Sequence, residues 1–284
     1  MGALLEPFEF AFFQRGLLVA TVAGALCGLV GVFVVVRSMS YIGHGLSRAV
    51  FGGAAVAALL NVSFFLGAGL WGLLAALAIG RVARGSPIGA DAAIGVVTTA
   101  SFAIGLVVQA RVDGAAQPLE AILFGNVLAV FTRDVVAVFV VGVLVVGAIV
   151  LYQRELVLVS FDADVAGVAG VRVQRIDALM MVLLSATVVV SVRVVGALLI
   201  TALLVIPAAT VRLLTDSIAT MLRWAPMLGA AVGFAGMYAS WFLDVPSGAA
   251  ITLAGASAFC VAYAGAGQRR RALARLDAHD VDIA

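Results

Sequence analysis

The sequence predicts an all-α integral membrane protein, a polytopic bundle of eight to nine transmembrane helices. Hydrophobic residues fill 64% of the 284 positions, against the roughly half that is usual for a soluble domain. Charged residues are only 11%, and the mean hydropathy is +1.20. The apolar residues fall in continuous runs without alternation, which excludes a β-barrel and requires helices that satisfy their backbones internally. The net charge of +2 gives no ground for nucleic-acid binding.

About 20 residues, rising about 1.5 Å each, cross the hydrocarbon core. The candidate windows are 16–36, 47–62, 64–80, 93–110, 134–152, 176–194, 196–212, 225–243 and 247–266. The second and third are short, and the apolar run 178–206 is divided at Gly196. No secretory signal pattern is present, because Glu6 and Glu9 precede any basic residue, so the first helix is expected to stay. Residues 1–268 read as one transmembrane domain. Residues 269–284 read as a basic anchor followed by an acidic, disordered end, where His279 stands among Asp277, Asp280 and Asp282.

Arginine sets the orientation. Arg37, then Arg81 and Arg84, then Arg154, Arg172 and Arg175, then Arg212 and Arg223, and finally Arg269 to Arg271 with Arg275 fall in alternate loops and the tail. Those face the cytoplasm. Nine spans with the N-terminus outside and the C-terminus inside fit this pattern, in a bacterial plasma membrane crossed many times.

Glycines recur along the spans, as at Gly24, Gly28 and Gly31. Small residues about one turn apart let helix backbones approach closely, which is how membrane helices gain contact when lipid offers no hydrophobic drive. Cys27 and Cys260 lie in apolar runs and read as small hydrophobes. Asp91 precedes an apolar run, where a carboxylate caps free N–H groups and suits the helix dipole. Pro207 is expected to break its apolar helix and leave carbonyls unpaired. Arg193 lies near an outer end, placed either to snorkel or to line a water-filled path.

Two stretches carry more information. In GHGLSRAVFGG, residues 43–53, His44 and Arg48 share one helix face a turn apart, inside an apolar segment. In PAATVRLLTDSIATMLRW, residues 207–224, apolar positions alternate with Arg212, Asp216 and Arg223. That pattern suits a helix lying on the membrane surface or a handle gripped by a cytoplasmic partner.

Taken in order, MSYIGHGLSRAVFGG (39–53), DAAIGVV (91–97), LFGNVL (123–128), LVSFDADVAGVAGV (158–171), VVGALLITALLVIPAATVRLL (194–214) and DVPSGAAI (244–251) resemble the permease subunit of the metal-ion family of ABC importers. That family takes up zinc, manganese or iron in bacteria, and the resemblance runs from about residue 10 to residue 266. It implies a permease fold akin to that of the vitamin B12 and siderophore importers, and a homodimer in membrane lipid. It also implies two cytoplasmic ATPase subunits and an extracytoplasmic solute-binding protein as partners. The segment 207–220 would be the coupling helix, with Pro207, Arg212, Leu213, Leu214 and Asp216 at the ATPase. The loop around Phe161 and Asp162 would be a structural brace. ATP would be bound on the partner, since the chain holds no Lys and hence no GxxxxGK[ST] loop. No tightly bound cofactor is implied beyond the transported ion.

The family's usual wording in the first stretch is close to SLIGDALSHA, with Asp and His meeting the metal. Here the Asp position is His44 and the His position is Arg48. Imidazole is a good ligand for borderline ions, whereas arginine never deprotonates and repels a cation. A unit charge about 5 Å from a divalent ion costs on the order of several kcal/mol at an effective dielectric near 20. The pathway is therefore assigned to His44, Arg48, Asp91 and Arg193, with His44 as the metal ligand. The alternatives are a chelated metal, haem or small anionic organic cargo paired by Arg48, and proton-coupled secondary transport through His44. No paired-aspartate, serine–histidine or HExxH arrangement supports an enzyme.

Overall fold

A short 3-10 turn at Glu6–Glu9 leads into α1 (Ala11–Val36), α2 (Ser40–Leu59), α3 (Phe64–Gly85) and α4 (Gly89–Gln109). These are followed by α5 (Thr132–Leu151), the short α6 (Gln153–Phe161) and α7 (Ala163–Val168), α8 (Val173–Val195), α9 (Ile200–Leu214), α10 (Ile218–Leu243) and α11 (Ser247–Val281). The computed structural model describes residues 6–60, 62–85, 89–110, 125, 130–197 and 199–281. The side chains of residues 40, 41, 44, 83–85, 89–91, 193, 194 and 267–281 fall outside that description.

Seven helices, α1, α3, α4, α5, α8, α10 and α11, are long and apolar enough to cross a membrane. The expected eight to nine spans are thus corrected to seven full-length ones among the described residues. Gly196 ends α8, and α9, which follows from Ile200 to Leu214, has only 15 residues, while α2 is 20 residues long and carries Ser47 and Arg48 among its apolar positions.

Gly196 has φ 86° and ψ 152°, a conformation essentially confined to glycine, and its N–H donates to the Val192 carbonyl at 2.8 Å. The expected division of the long apolar run at this residue is what the backbone does. Pro207 behaves otherwise than expected, since α9 continues through it from Ile200 to Leu214. The proline is buried in the bundle, where neighbouring helices shelter the carbonyl it cannot serve. The tail also departs from expectation. Helix α11 runs to Val281, because the segment after Gly265 is rich in Ala, Arg and Leu, all strong helix formers.

Helices α1 and α8 form the centre, with 67% of their spanning residues buried, whereas α11 has only 17%. Helix α1 is held by α10, α9, α8 and α5. Along the α1–α10 seam Ala20 meets Gly233, Gly24 meets Gly229, and Gly28 meets Ala225, so the helices run antiparallel. The contact is backbone on backbone. A methyl on Gly24 would overlap the Gly229 carbonyl oxygen, one on Gly229 would overlap that of Gly24, and one on Gly31 would overlap the Leu204 carbonyl of α9. Helix α2 joins α3 and α4 similarly, through Gly53 against Gly67 and Gly52 against the Ser101 carbonyl.

The two ends of the bundle differ in chemistry. At one, Trp241 gathers Phe10, Phe12 and Phe13, with ring centroids 5.3–6.1 Å away, as suits a membrane–water boundary. At the other, Arg37 and the α9–α10 turn lie together, joined through α1 by Val32, Ala208, Val211, Met221 and Ala225. A Gly24→Val substitution should therefore lower the thermal unfolding midpoint and the monodisperse yield of the purified protein. Gly95→Ala, where an added methyl meets nothing within 4 Å, should leave both unchanged. Equal behaviour of the two variants in a melting assay would show that the seam does not limit stability.

Candidate functional site

The chain enters α2 through a tight turn. Ser38 takes a positive φ of 55°, its N–H donates to the Val35 carbonyl at 3.1 Å, and the Met39 N–H donates to the Val34 carbonyl at 2.9 Å. From Ser40 the helix passes between α9 and α4. Gly43 faces Thr201 and Leu204 of α9, and Gly45 faces the methyl groups of Ile94 and Thr98 of α4. A methyl at Gly45 would collide with the Ile94 and Thr98 methyl groups at 2.6 Å, whereas one at Gly43 would stand in ordinary contact at 3.6–4.0 Å, so α2 is pressed closest on its α4 side. Ser47 is fully buried, while Arg48 is half-buried and has an interaction partner.

The predicted pathway residues do not all converge. His44 is carried on α2 four positions before Arg48, and its side chain lies outside the described residues. Asp91 falls in the first turn of α4, three positions before the Ile94 that packs on Gly45; its side chain also lies outside the description. The turns carrying His44, Arg48 and Asp91 are thus neighbours. Arg193 sits on the final turn of α8, its side chain likewise outside the description. Helix α4 starts at the arginine-rich end, so Arg193 and Asp91 occupy opposite ends of the bundle. Among the described residues no group of three or more His, Cys, Asp or Glu side chains is placed to hold a metal ion.

The expected coupling segment takes a different form from the one anticipated. No separate amphipathic helix occupies 207–220; α9 ends at Leu214 and α10 begins at Ile218, leaving a tight turn between them. The Thr215 hydroxyl accepts from the Ser217 N–H at 3.2 Å, and the Ser217 hydroxyl accepts from the Thr220 N–H at 3.5 Å. These local bonds start α10 at once, which is why the chain folds back without an intervening helix. Arg212 donates to the Asp216 carbonyl at 3.2 Å and approaches its carboxylate at 3.5 Å. The Asp216 side chain is 98% exposed, so this ion pair is worth at most about 1 kcal/mol to the fold. Pro207 is buried, Leu213 half-buried, and Leu214 exposed beside the pair.

One residue was read only as a mark of orientation. Arg37 at the end of α1 binds the Asp177 carboxylate of α8 at 2.7 Å and donates from Nε to the Ser160 hydroxyl of α6 at 2.9 Å. Only 10% of its side chain is exposed. The pair ties the centre of the bundle to the α6–α8 segment, giving the brace expected around Phe161 its anchor. No local pattern reveals it, because the partners lie 123 and 140 positions away.

Residues 9–266 match the model of the ABC 3 transport family. The chain belongs to that family. It is 39% identical to the manganese transport system membrane protein MntC of Halalkalibacterium halodurans, over 91% of this chain and 88% of that one. It is 36% identical to the manganese import system permease protein ScaB of Streptococcus parasanguinis, over 95% and 96% of the two chains. Among solved structures it resembles PsaBC from Streptococcus pneumoniae in complex with Fab, with a TM-score of 0.83 and 34% identity over 92% of this chain and 95% of that one. The resemblance read from the ordered motifs is borne out, and with it the all-helical permease fold. This member of the ABC 3 family is a multi-pass integral protein of the bacterial plasma membrane and a permease subunit of the metal-ion ABC importer type.

Loss of Arg37 would remove the 2.7 Å ion pair of a mostly buried carboxylate together with the bond to Ser160, at a cost on the order of 3 kcal/mol. Arg37→Ala should therefore lower the unfolding midpoint clearly, and adding Asp177→Asn should recover part of the loss. A melting series in which Arg37→Ala matches the parent protein would dismiss the brace.

Proposed function

We propose that this permease carries a divalent transition-metal ion, manganese first among zinc, manganese and iron, inward by alternating access. The observation that carries the reading is the match, over 91% to 95% of the chain, to permeases named for manganese import. In this reading the permease pairs with a second copy of itself and receives its ion from an extracytoplasmic binding protein. ATP is bound and hydrolysed by cytoplasmic ATPase subunits, since a chain without Lys offers no phosphate-binding loop of its own.

His44 is the proposed transfer ligand, on the helix that threads between α4 and α9. An imidazole suits manganese, zinc or iron, and one ligand holds an ion loosely enough to release it. Arg48 is half-buried and makes an interaction within the protein, which supports this reading over one in which it serves solely to pair an anionic cargo. In reconstituted permease and ATPase, binding protein loaded with manganese should stimulate ATP hydrolysis, and His44→Ala should abolish that response while Arg48→Gln retains most of it. If only haem or a metal chelate stimulates turnover, and Arg48→Gln removes the response, the cargo is anionic and the ion reading falls.

Coupling is assigned to the exposed turn of Arg212, Leu213, Leu214 and Asp216, backed by the buried Pro207. The ion pair there adds little to the fold, so its removal separates coupling from stability. Arg212→Ala with Asp216→Ala should leave the unfolding free energy within about 1 kcal/mol of the parent while cutting transport-stimulated ATP hydrolysis several-fold. Normal transport by this double variant would move the ATPase contact elsewhere.

A further inference from the structure

Beneath α5, at the arginine-rich end, a cavity of about 430 Å³ opens between α6 and the start of α8, lined by Tyr152, Glu155, Gly170, Arg172, Arg175 and Leu179. We propose that it binds the headgroup of an anionic phospholipid of the cytoplasmic leaflet, with Arg172 and Arg175 on the phosphate. The inference is independent of what the permease transports.

The charges in the cavity are available. Arg37 and Arg212 are committed to Asp177 and Asp216. The side chains of Arg172 and Arg175, both exposed residues, make no ion pair or hydrogen bond among the described residues, with Glu155 or any other group. Two guanidinium groups sharing one concavity repel each other, and a phosphate relieves that repulsion through charge-assisted bonds. Glu155 adds a complementary demand. It accepts hydrogen bonds only, so it favours a headgroup that carries hydroxyls as well as a phosphate, such as phosphatidylglycerol.

Position selects a lipid over a soluble anion. The cavity begins where α5 ends, and Val143, Leu144, Val150 and Leu151 of α5 are exposed along the lipid-facing side. Tyr152 follows directly, at the depth where aromatic rings with one polar end settle. On the opposite wall, Arg175 is succeeded one turn later by Leu179, so the lining passes from cationic to apolar toward the bilayer, as a phospholipid does. Gly170, at φ +83°, leaves the mouth open, with nothing within 4 Å of where a methyl would stand. Beside it, Phe161, Val165 and Val168 of α6 and α7 expose apolar side chains beyond the spans, Val168 at 92%. An interfacial segment of this kind rests in the acyl boundary while adjacent arginines hold the headgroups.

The test uses the full-length protein, stripped of lipid in detergent and offered equal phosphatidylglycerol and phosphatidylcholine, with retained lipid counted by native mass spectrometry. The parent protein should retain phosphatidylglycerol about tenfold or more over phosphatidylcholine, the scale expected of two arginines at an anionic surface. Arg172→Gln with Arg175→Gln should bring the ratio near parity. Arg154→Gln, the loss of one arginine charge at a position that does not line the cavity, should match the parent. Equal retention of the two lipids by the parent, or undiminished phosphatidylglycerol on the double variant, overturns the proposal. So does a double variant that keeps its lipid but no longer co-purifies with the ATPase, which would make the cavity a protein-docking surface.

Discussion

Close approach of helix backbones is the constraint on which this bundle depends. Inside a bilayer apolar side chains gain nothing by leaving lipid, so helices must adhere through short-range contact. Here α1 meets α10 and α9 at carbonyl distance, through Gly24, Gly28 and Gly31 on one side and Gly229, Ala225 and Leu204 on the other. Because α1 is the shared partner of α5, α8, α9 and α10, that single helix indexes the rest. The polar tie between Arg37 and Asp177 then fixes one end of it, where water begins and ionic contacts become affordable.

The α2–α3–α4 group is built on the same terms and attaches through different neighbours. Its glycines open α2 on several sides, to Thr201 and Leu204, to Ile94 and Thr98, and to Trp71. A helix interrupted by Ser47 and Arg48 would be a poor lipid-facing span, and its surroundings account for how it is tolerated. Ser47 is wholly enclosed, and Arg48 is engaged within the protein. The departure from the family's wording in GHGLSRA thus sits on the stretch of α2 whose glycines pack on both α9 and α4.

Much of this architecture was legible in the sequence because hydropathy reports directly on the solvent. The window 134–152 corresponds to Thr132–Leu151, 225–243 falls within Ile218–Leu243, and Gly196 divides its run as its conformation requires. What the sequence concealed depends on three-dimensional company. Pro207 continues a helix because its neighbours shelter it, and the 207–220 segment becomes a turn because Thr215 and Ser217 satisfy the backbone locally. Arg37 looked like a topological marker and proved to be an ion-pair partner of a distant helix. Of the proposed pathway, His44 and Arg48 stand on one helix as their spacing implied, whereas the packing of Ile94 on Gly45, which brings the first turn of α4 beside them, has no local signal in the sequence.

Helix α9 has a mechanical consequence. It is a rod of 15 residues, about 22 Å long at the usual rise, and the exposed turn at Arg212–Asp216 is its free tip. Farther up, Leu204 bears on Gly31 and, with Thr201, on Gly43. Glycine contacts have no side chain to bend, so they act as a hard fulcrum where longer residues would behave as springs. If the tip is the ATPase contact, as proposed, a push on it reaches the turn of α2 beside His44 as a tilt of the rod, converting a displacement in water into a change of clearance just inside the arginine-rich end of the bundle.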